Sequence, residues 1–535
     1  MADNPVKRQS FLQGAAILAL ATAVVKLIGA CYKIPLGIVI GDAGYGYFTT
    51  AYDIYSVLLM ISTTGLPVAM SRMISEARTL GQNAQIQKIY RTSLTIFLAI
   101  GIVGSGGMLI LCRQLANWMN SPNSWIAIAS LAPALLFICL ISAYRGFFQG
   151  QSNMTPTAVS QIFEAVSKLA VGLSVAWILM KRTGDASIAA GGAILGVTIG
   201  CVISAAYLGM RHRKASRDLA SDRSATKSTG ETAKQLLSIA IPITLGSAGL
   251  QIINLIDAKL LMQQLLGPAG FQQADADVLK GIYNFCQTIF NLPCAFITPL
   301  TVSVIPAVTE RLTLKNTLGA RMVEESGLRI TALLCMPCAV GLAVMAGPIL
   351  QMLRGYEGSL LTTGAVILAI LGVTVIFNSL VLLTNAIMQA HGYVTLPVIN
   401  MLIGGVVKII VNYILIARPE INIMGAPIGT LLCYLSIILL NLISMKRALE
   451  QAPAILKNML RAVLSAAIMG AAVYGTWYGL TAALGSDMSR IIACGVPLIA
   501  GVAVYAVCAV KLKAITREDC MLLPEGERIA HILHL

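Results

Sequence analysis

The sequence predicts an all-α polytopic membrane protein, with about fourteen transmembrane helices arranged as two pseudo-repeated six-helix lobes around a central cavity plus two C-terminal helices. Three observations predict it. Of 535 residues, 57% are hydrophobic and only 11% charged, with a mean hydropathy of +0.80; soluble domains carry roughly 25% charged residues. Apolar runs recur along the whole chain. Basic residues collect between those runs rather than on one face.

Runs able to cross a hydrocarbon core of ~30 Å at 1.5 Å per residue lie at about 11–40, 46–71, 92–112, 123–144, 156–180, 186–209, 236–262, 281–306, 328–350, 360–388, 394–417, 424–445, 459–483 and 489–512. Lys7 and Arg8 before the first run imitate a signal peptide. The apolar character resumes past Lys26 and reaches Ile40, too long for a cleavable segment. The first helix is therefore expected to be retained and bent near Gly29 and Pro35. Pro67, Pro242, Pro293, Pro299 and Pro306 are expected to interrupt the second, seventh and eighth helices.

Charge placement tests this order. With the N-terminus in the cytoplasm, 26 of the 38 Lys and Arg fall in or beside inside segments and 7 outside. Five lie within spans, namely Lys26, Lys33, Lys168, Lys259 and Lys408. That bias predicts two cytoplasmic termini in a bacterial cytoplasmic membrane, and an odd helix count would break the alternation. The net charge of +15 thus needs no nucleic acid.

The polar linker 210–235 separates an N-terminal lobe, 1–209, from a C-terminal lobe, 236–445; helices thirteen and fourteen and a cytoplasmic tail occupy 446–535. Gln149, Thr155, Val166 and Lys168 recur as Gln389, Thr395, Val406 and Lys408, all offset by 240 residues. A parallel repeat of six helices explains that offset and suits a transporter.

Nothing in the chain points to an enzyme. There is no Walker loop, and His212, His391, His531 and His534 lie outside the predicted spans. No paired carboxylates or nucleophile–base arrangement stands at a recognisable spacing. Cys335 and Cys338 form a CxxC without further ligands nearby, which favours packing over metal. No metal or cofactor is expected.

Charges inside the membrane cost at least ~2.5–3.5 kcal/mol each at its centre, so they usually face a cavity or a partner. Lys26 and Lys33 share a face of the first helix; Asp53 and Arg72 belong to the second, Asp257 and Lys259 to the seventh. Asn284, Gln287 and Asn291 follow one face of the eighth. These nine are the candidate cavity residues. Each also has a plainer reading. Lysines near helix ends snorkel, amides join helices, Arg72 and Arg145 anchor at the interface, and Glu164 neutralises Lys168 four residues on. The five lysines outnumber Asp53, Glu164 and Asp257, and aromatics are only 6% of the chain. That balance favours an anionic cargo over an organic cation.

The stretches GDAGYGYF, AYDIY, STTGLPVAMSRMISE, YRGFFQGQSNMTPTAVSQIFE and INLIDAKLL make the chain resemble the stage V sporulation protein B family of polysaccharide transporters. This family lies in the multidrug/oligosaccharidyl-lipid/polysaccharide exporter superfamily. The resemblance implies a flippase for an undecaprenyl-diphosphate-linked cell-wall precursor, hence roles in peptidoglycan or polysaccharide biosynthesis and sporulation. It implies membrane lipids and cell-wall synthesis proteins as partners. Lys26, in a K-x-x-G context with Gly29, stands where related flippases have a cavity arginine. Gln287 and Thr288 stand where others carry a second one. The other readings are a cation-coupled multidrug exporter, with sodium or proton as coupling ion, and a non-transporting scaffold.

Overall fold

The computed structural model describes residues 11–217, 226–449, 453–484, 489–512 and 514. Lys7, Arg8, His531, His534 and the middle of the linker lie outside the described residues. All regular structure among the described residues is helical. Two compact units form, Met1–Asn284 and Phe285–Leu535.

The first unit holds α1 (Phe11–Thr63), α2 (Gly65–Thr79), α3 (Asn83–Ile110), α4 (Cys112–Trp118), α5 (Trp125–Gly150), α6 (Thr155–Ser167), α7 (Leu173–Thr183), α8 (Ala186–Arg217), α9 (Thr229–Leu266) and the start of α10 (Gln273–Thr313). Here α5 packs against α3 and α8, while α1 lies on α5, α6, α8 and α9. The second unit holds the rest of α10, then α11 (Thr317–Val344), α12 (Ala346–Arg354), α13 (Gly358–Ala390), α14 (Thr395–Ile416), α15 (Gly425–Ala448), α16 (Ile455–Leu484) and α17 (Arg490–Lys511). In it α11 packs on α13 and α16, α14 on α15, and α16 on α17.

Eleven helical stretches among the described residues are long and apolar enough to cross a membrane, so this is a multi-pass membrane protein. One of them, Leu20–Thr79, contains the first two expected helices. The break between them falls at Gly41, with φ 71° and ψ −178°, in the expected gap at 41–45, while Gly29 and Pro35 keep helical backbone angles. Pro35 already has a helical φ. A positive φ costs an L-residue about 1–2 kcal/mol and glycine almost nothing. No atom lies within 4 Å of a Cβ built at Gly41. Gly41→Ala should therefore lower stability by about 1 kcal/mol through conformation alone, and an unchanged melting temperature would refute it. Pro67 interrupts the expected second span as anticipated: α1 ends at Thr63 and Pro67 sits in the first turn of α2, where a missing N–H is harmless.

Other local signals fold as their chemistry dictates. Ser228 and Glu231 form a reciprocal capping box that starts α9, and the Ser228 hydrogen bonds hold the Glu231 carboxyl below the usual range. Cys335 is buried, its Sγ directed at the Ala332 carbonyl oxygen one turn back.

The 240-residue repeat is visible atom by atom at one turn of each unit. Between α5 and α6, the Ser152 N–H donates to Gln149 O and the Asn153 N–H to Phe148 O. Between α13 and α14, Gly392 and Tyr393 donate to Gln389 O and Met388 O in the same way. Ser152 and Gly392 both take a positive φ, 57° and 86°. Thr155 and Thr395 then begin α6 and α14.

Candidate functional site

In the first unit, charged side chains converge from α1, α5, α6 and the start of α10. Lys33, exposed on α1, has Lys168 and Asp53 as its charged neighbours. Lys168 opens a π-helical turn, Lys168–Gly172, inserted between α6 and α7. Such wide turns are rare, and they re-aim the side chains they carry. The Lys168 Nζ lies 5.9 Å from the centroid of the Tyr52 ring. Asp53, half-buried on α1 beyond the Gly41 break, has its Oδ2 4.0 Å from Lys280 Nζ. Lys280 is 2% exposed and donates to Thr50 Oγ1 at 2.6 Å.

Two flanking networks fix this cluster. Arg145 donates to Glu164 Oε1 at 2.6 Å and, through Nε and Nη2, to Ser160 Oγ at 3.0 and 2.8 Å. Glu164 is therefore bonded to Arg145 of α5, and it also remains within electrostatic reach of Lys168. A guanidinium delivers two donors along one plane, whereas an ammonium is a point charge; Lys168, entering the π turn, meets Tyr52. Arg145 is correspondingly part-buried rather than a simple interfacial anchor. On the other flank, Asp277 accepts from Tyr47 Oη at 3.2 Å and from Gln273 Nε2 at 3.0 Å. Asn284 Nδ2 donates to Thr49 Oγ1 at 2.6 Å, beside Thr50.

Of the nine candidate residues, the structure thus brings together Lys33, Asp53 and Asn284. Lys26 is exposed on α1, seven residues before Lys33. Arg72 is exposed on α2. On α9, Asp257 is buried, while Lys259 holds its Nζ 4.4 Å from the Trp118 ring centroid. In the second unit Gln287 is half-buried, and exposed Asn291 donates back to the Gln287 carbonyl oxygen at 2.8 Å.

Sequence reasoning missed Lys280, Asp277 and the Arg145–Glu164 pair. Lys280 stands one residue before the predicted eighth span. Its signal was the run DADVLKGIYNF, in which Asp277 and Lys280 are three apart and already helical.

The repeat shows what the charges are not needed for. At the same offset, Arg145, Ser160 and Ser204 become Asn385, Asn400 and Ser444. In the second unit Asn400 Nδ2 donates to Asn441 Oδ1 at 2.9 Å and to Ser444 Oγ at 3.3 Å, and Asn441 Nδ2 donates to Asn385 Oδ1 at 2.8 Å. Neutral amides tie those helices without the insertion cost of charge. The Arg145–Glu164 pair of the first unit therefore exceeds what helix packing requires, whereas Lys168 keeps a lysine, Lys408, at the same offset. With Lys33, Lys168, Lys280 and Arg145 against Asp53, Glu164 and Asp277, the cluster carries one formal positive charge in excess and is suited to an anionic group.

The family model described as polysaccharide biosynthesis protein matches residues 11–311, and the MatE model matches 281–414. Lipid II flippase MurJ of Bacillus subtilis (strain 168) is 28% identical over 526 residues, which is 94% of this chain and 95% of that protein. Stage V sporulation protein B of the same organism is 25% identical over 446 residues, 83% of this chain and 85% of its own length. A solved structure of lipid II flippase MurJ in an inward closed conformation superposes with a TM-score of 0.69. It covers 93% of this chain and 98% of that chain at 15% identity, a likeness of fold.

Proposed function

The chain belongs to the polysaccharide biosynthesis protein family, and from that premise we propose that it is a flippase moving an undecaprenyl-diphosphate-linked, lipid II-like precursor across the cytoplasmic membrane by alternating access. One relative along nearly its whole length is named a lipid II flippase, as is a solved structure of the same fold. The observation that carries the cargo is the net-positive cluster of Lys33, Lys168 and Lys280 around Asp53. In this reading Lys26 and Lys33 attract the diphosphate from α1. Lys168 holds it against Tyr52, and Asp53 seats Lys280. Both termini are cytoplasmic, and the membrane potential contributes ~2.3 kcal/mol per charge per 100 mV.

The test is binding of the purified full chain to lipid II, to undecaprenyl phosphate and to a fluorescent organic cation, each repeated with Lys26→Ala. Lysine-dependent preference for the diphosphate lipid is expected, together with a sharp loss of translocation by Lys26→Ala in vesicles. Translocation at the wild-type rate would remove Lys26 from the site. A cation-coupled drug exporter is the second reading, favoured by the MatE match over 281–414. It predicts the opposite preference, for the organic cation, with sodium or proton as the coupling ion.

A further inference from the structure

Glu164 stands four residues before Lys168, the spacing at which a carboxylate neutralises a lysine on one helix face. An ammonium neutralised in that way has little left to offer an anion. In the structure the carboxylate is claimed from another helix. Arg145 of α5 donates to Glu164 Oε1 at 2.6 Å, and both side chains are part-buried. The guanidinium is itself held in place, because Nε and Nη2 both donate to Ser160 Oγ. Ser160 is buried and spends its own proton on the Thr157 carbonyl oxygen at 2.7 Å, which leaves its oxygen to accept from Arg145. Lys168 remains in electrostatic reach of Glu164. A charge-assisted hydrogen bond is roughly twice as strong as a neutral one, so the direct bond from Arg145 decides where the carboxylate sits.

The internal repeat isolates what the pair is for. At the offset of 240 residues, Arg145 and Glu164 become Asn385 and Gly404, while Lys168 is kept as Lys408. A Cβ at Gly404 would already run into the Ile437 side chain, so that position has no room for a carboxylate. Arginine and carboxylate are thus present together in one unit and absent together in the other, beside a lysine that both units retain. Where the acid is missing, amides tie the same helices and no arginine is needed.

We propose that Arg145 is a positioning residue for the cargo site. By holding the Glu164 carboxylate toward α5, it keeps Lys168 from being neutralised within its own helix and leaves that ammonium to an anionic group. The arginine acts through Lys168 and does not touch the cargo. The identity of that anionic group, a lipid-linked diphosphate, rests on the flippase reading.

The first readout is equilibrium binding of lipid II to the purified full chain in nanodiscs. The variants are Lys168→Gln, Arg145→Gln, Arg145→Gln with Glu164→Gln, and Arg145→Gln with Lys168→Gln. Arg145→Gln is expected to weaken binding by about 10-fold, the scale of one charge-assisted contact. Adding Glu164→Gln should restore it to within about threefold of wild type, since the competing carboxylate is gone. On the Lys168→Gln background, Arg145→Gln should change binding by less than about twofold, because a residue acting through another adds nothing once that one is removed. Additive losses, or no recovery without Glu164, would overturn the proposal. Should Arg145→Gln fail to fold, Ser160→Ala keeps both charges and frees the guanidinium; its loss of binding should again be reversed by Glu164→Gln, and an irreversible loss or none counts against the positioning role.

The second readout needs no cargo. A crystal structure of the Arg145→Gln variant, or of Ser160→Ala in its place, is expected to show a Glu164 oxygen within about 3 Å of Lys168 Nζ. A carboxylate that stays beside Ser160 would sink the proposal whether or not lipid II binds. Preference of the wild type for an organic cation would remove the flippase reading and leave the position of Glu164 to be decided by that structure.

Discussion

Replacing Lys168 by glutamine is expected to weaken capture of a diphosphate lipid by about 10- to 100-fold, the loss of one charge-assisted contact worth ~1.5–3 kcal/mol. The expectation rests on the π turn at Lys168–Gly172, which re-aims Lys168 at Tyr52 and into the company of Lys33. Arginine at this position should retain the charge and much of the binding. Lys408 is the repeat-related control. It sits in a continuous α-helix, without the π turn, so Lys408→Gln should leave binding within about twofold. Equilibrium binding of lipid II to the three variants checks the set. Equal losses at Lys168 and Lys408, or none at Lys168, would show that the π turn does not present a binding lysine.

The largest stability effect is expected at Gly281. A Cβ there would lie far inside van der Waals contact distance of the Asp42 carbonyl oxygen, just past the Gly41 break in α1. Backbone cannot rotate away as a flexible side chain can. Gly281→Ala should therefore cost about 3 kcal/mol or more, at or beyond the top of the usual range for overpacking, and lower the melting temperature by roughly 5 °C or more. Gly106→Ala in α3 is the control, because nothing lies within 4 Å of its built Cβ. It should be neutral or gain up to ~1 kcal/mol from the better helix propensity of alanine. The cost at Gly281 has a functional side. The same close approach of α10 to α1 sets Lys280 beside Thr50 and Asp53, so Gly281→Ala should weaken precursor binding even where folded protein survives. A melting temperature matching that of Gly106→Ala would refute the close approach.

The elements of the site differed in legibility for identifiable reasons. The isolated lysines Lys26, Lys33 and Lys168 were visible because a charge in an apolar run is a local anomaly. Lys280 was not, because hydropathy alone puts the start of that span at residue 281, while the helix begins at Gln273. Glu164 and Lys168 were expected to pair because a straight α-helix stacks positions four apart. The π turn starting at Lys168 and the arrival of Arg145 from α5 add Tyr52 and Arg145 as partners, with Glu164 still in electrostatic reach of Lys168. Lys259 looked as exposed to a cavity as Lys26, and only the fold shows that Trp118 of α4 lies beneath it.

The sequence by itself determined the solvent of this protein, its all-helical class, its internal repeat and the sign of its charge excess. Those properties follow from composition, period and offset, which are local and additive along the chain. Tertiary structure alone decided which charges meet. Side chains far apart in sequence, such as Asp53 and Lys280, become neighbours only through the position of a helix break at Gly41 and a glycine contact at Gly281. Such contacts depend on angstrom-scale backbone approach, and no hydropathy pattern encodes that.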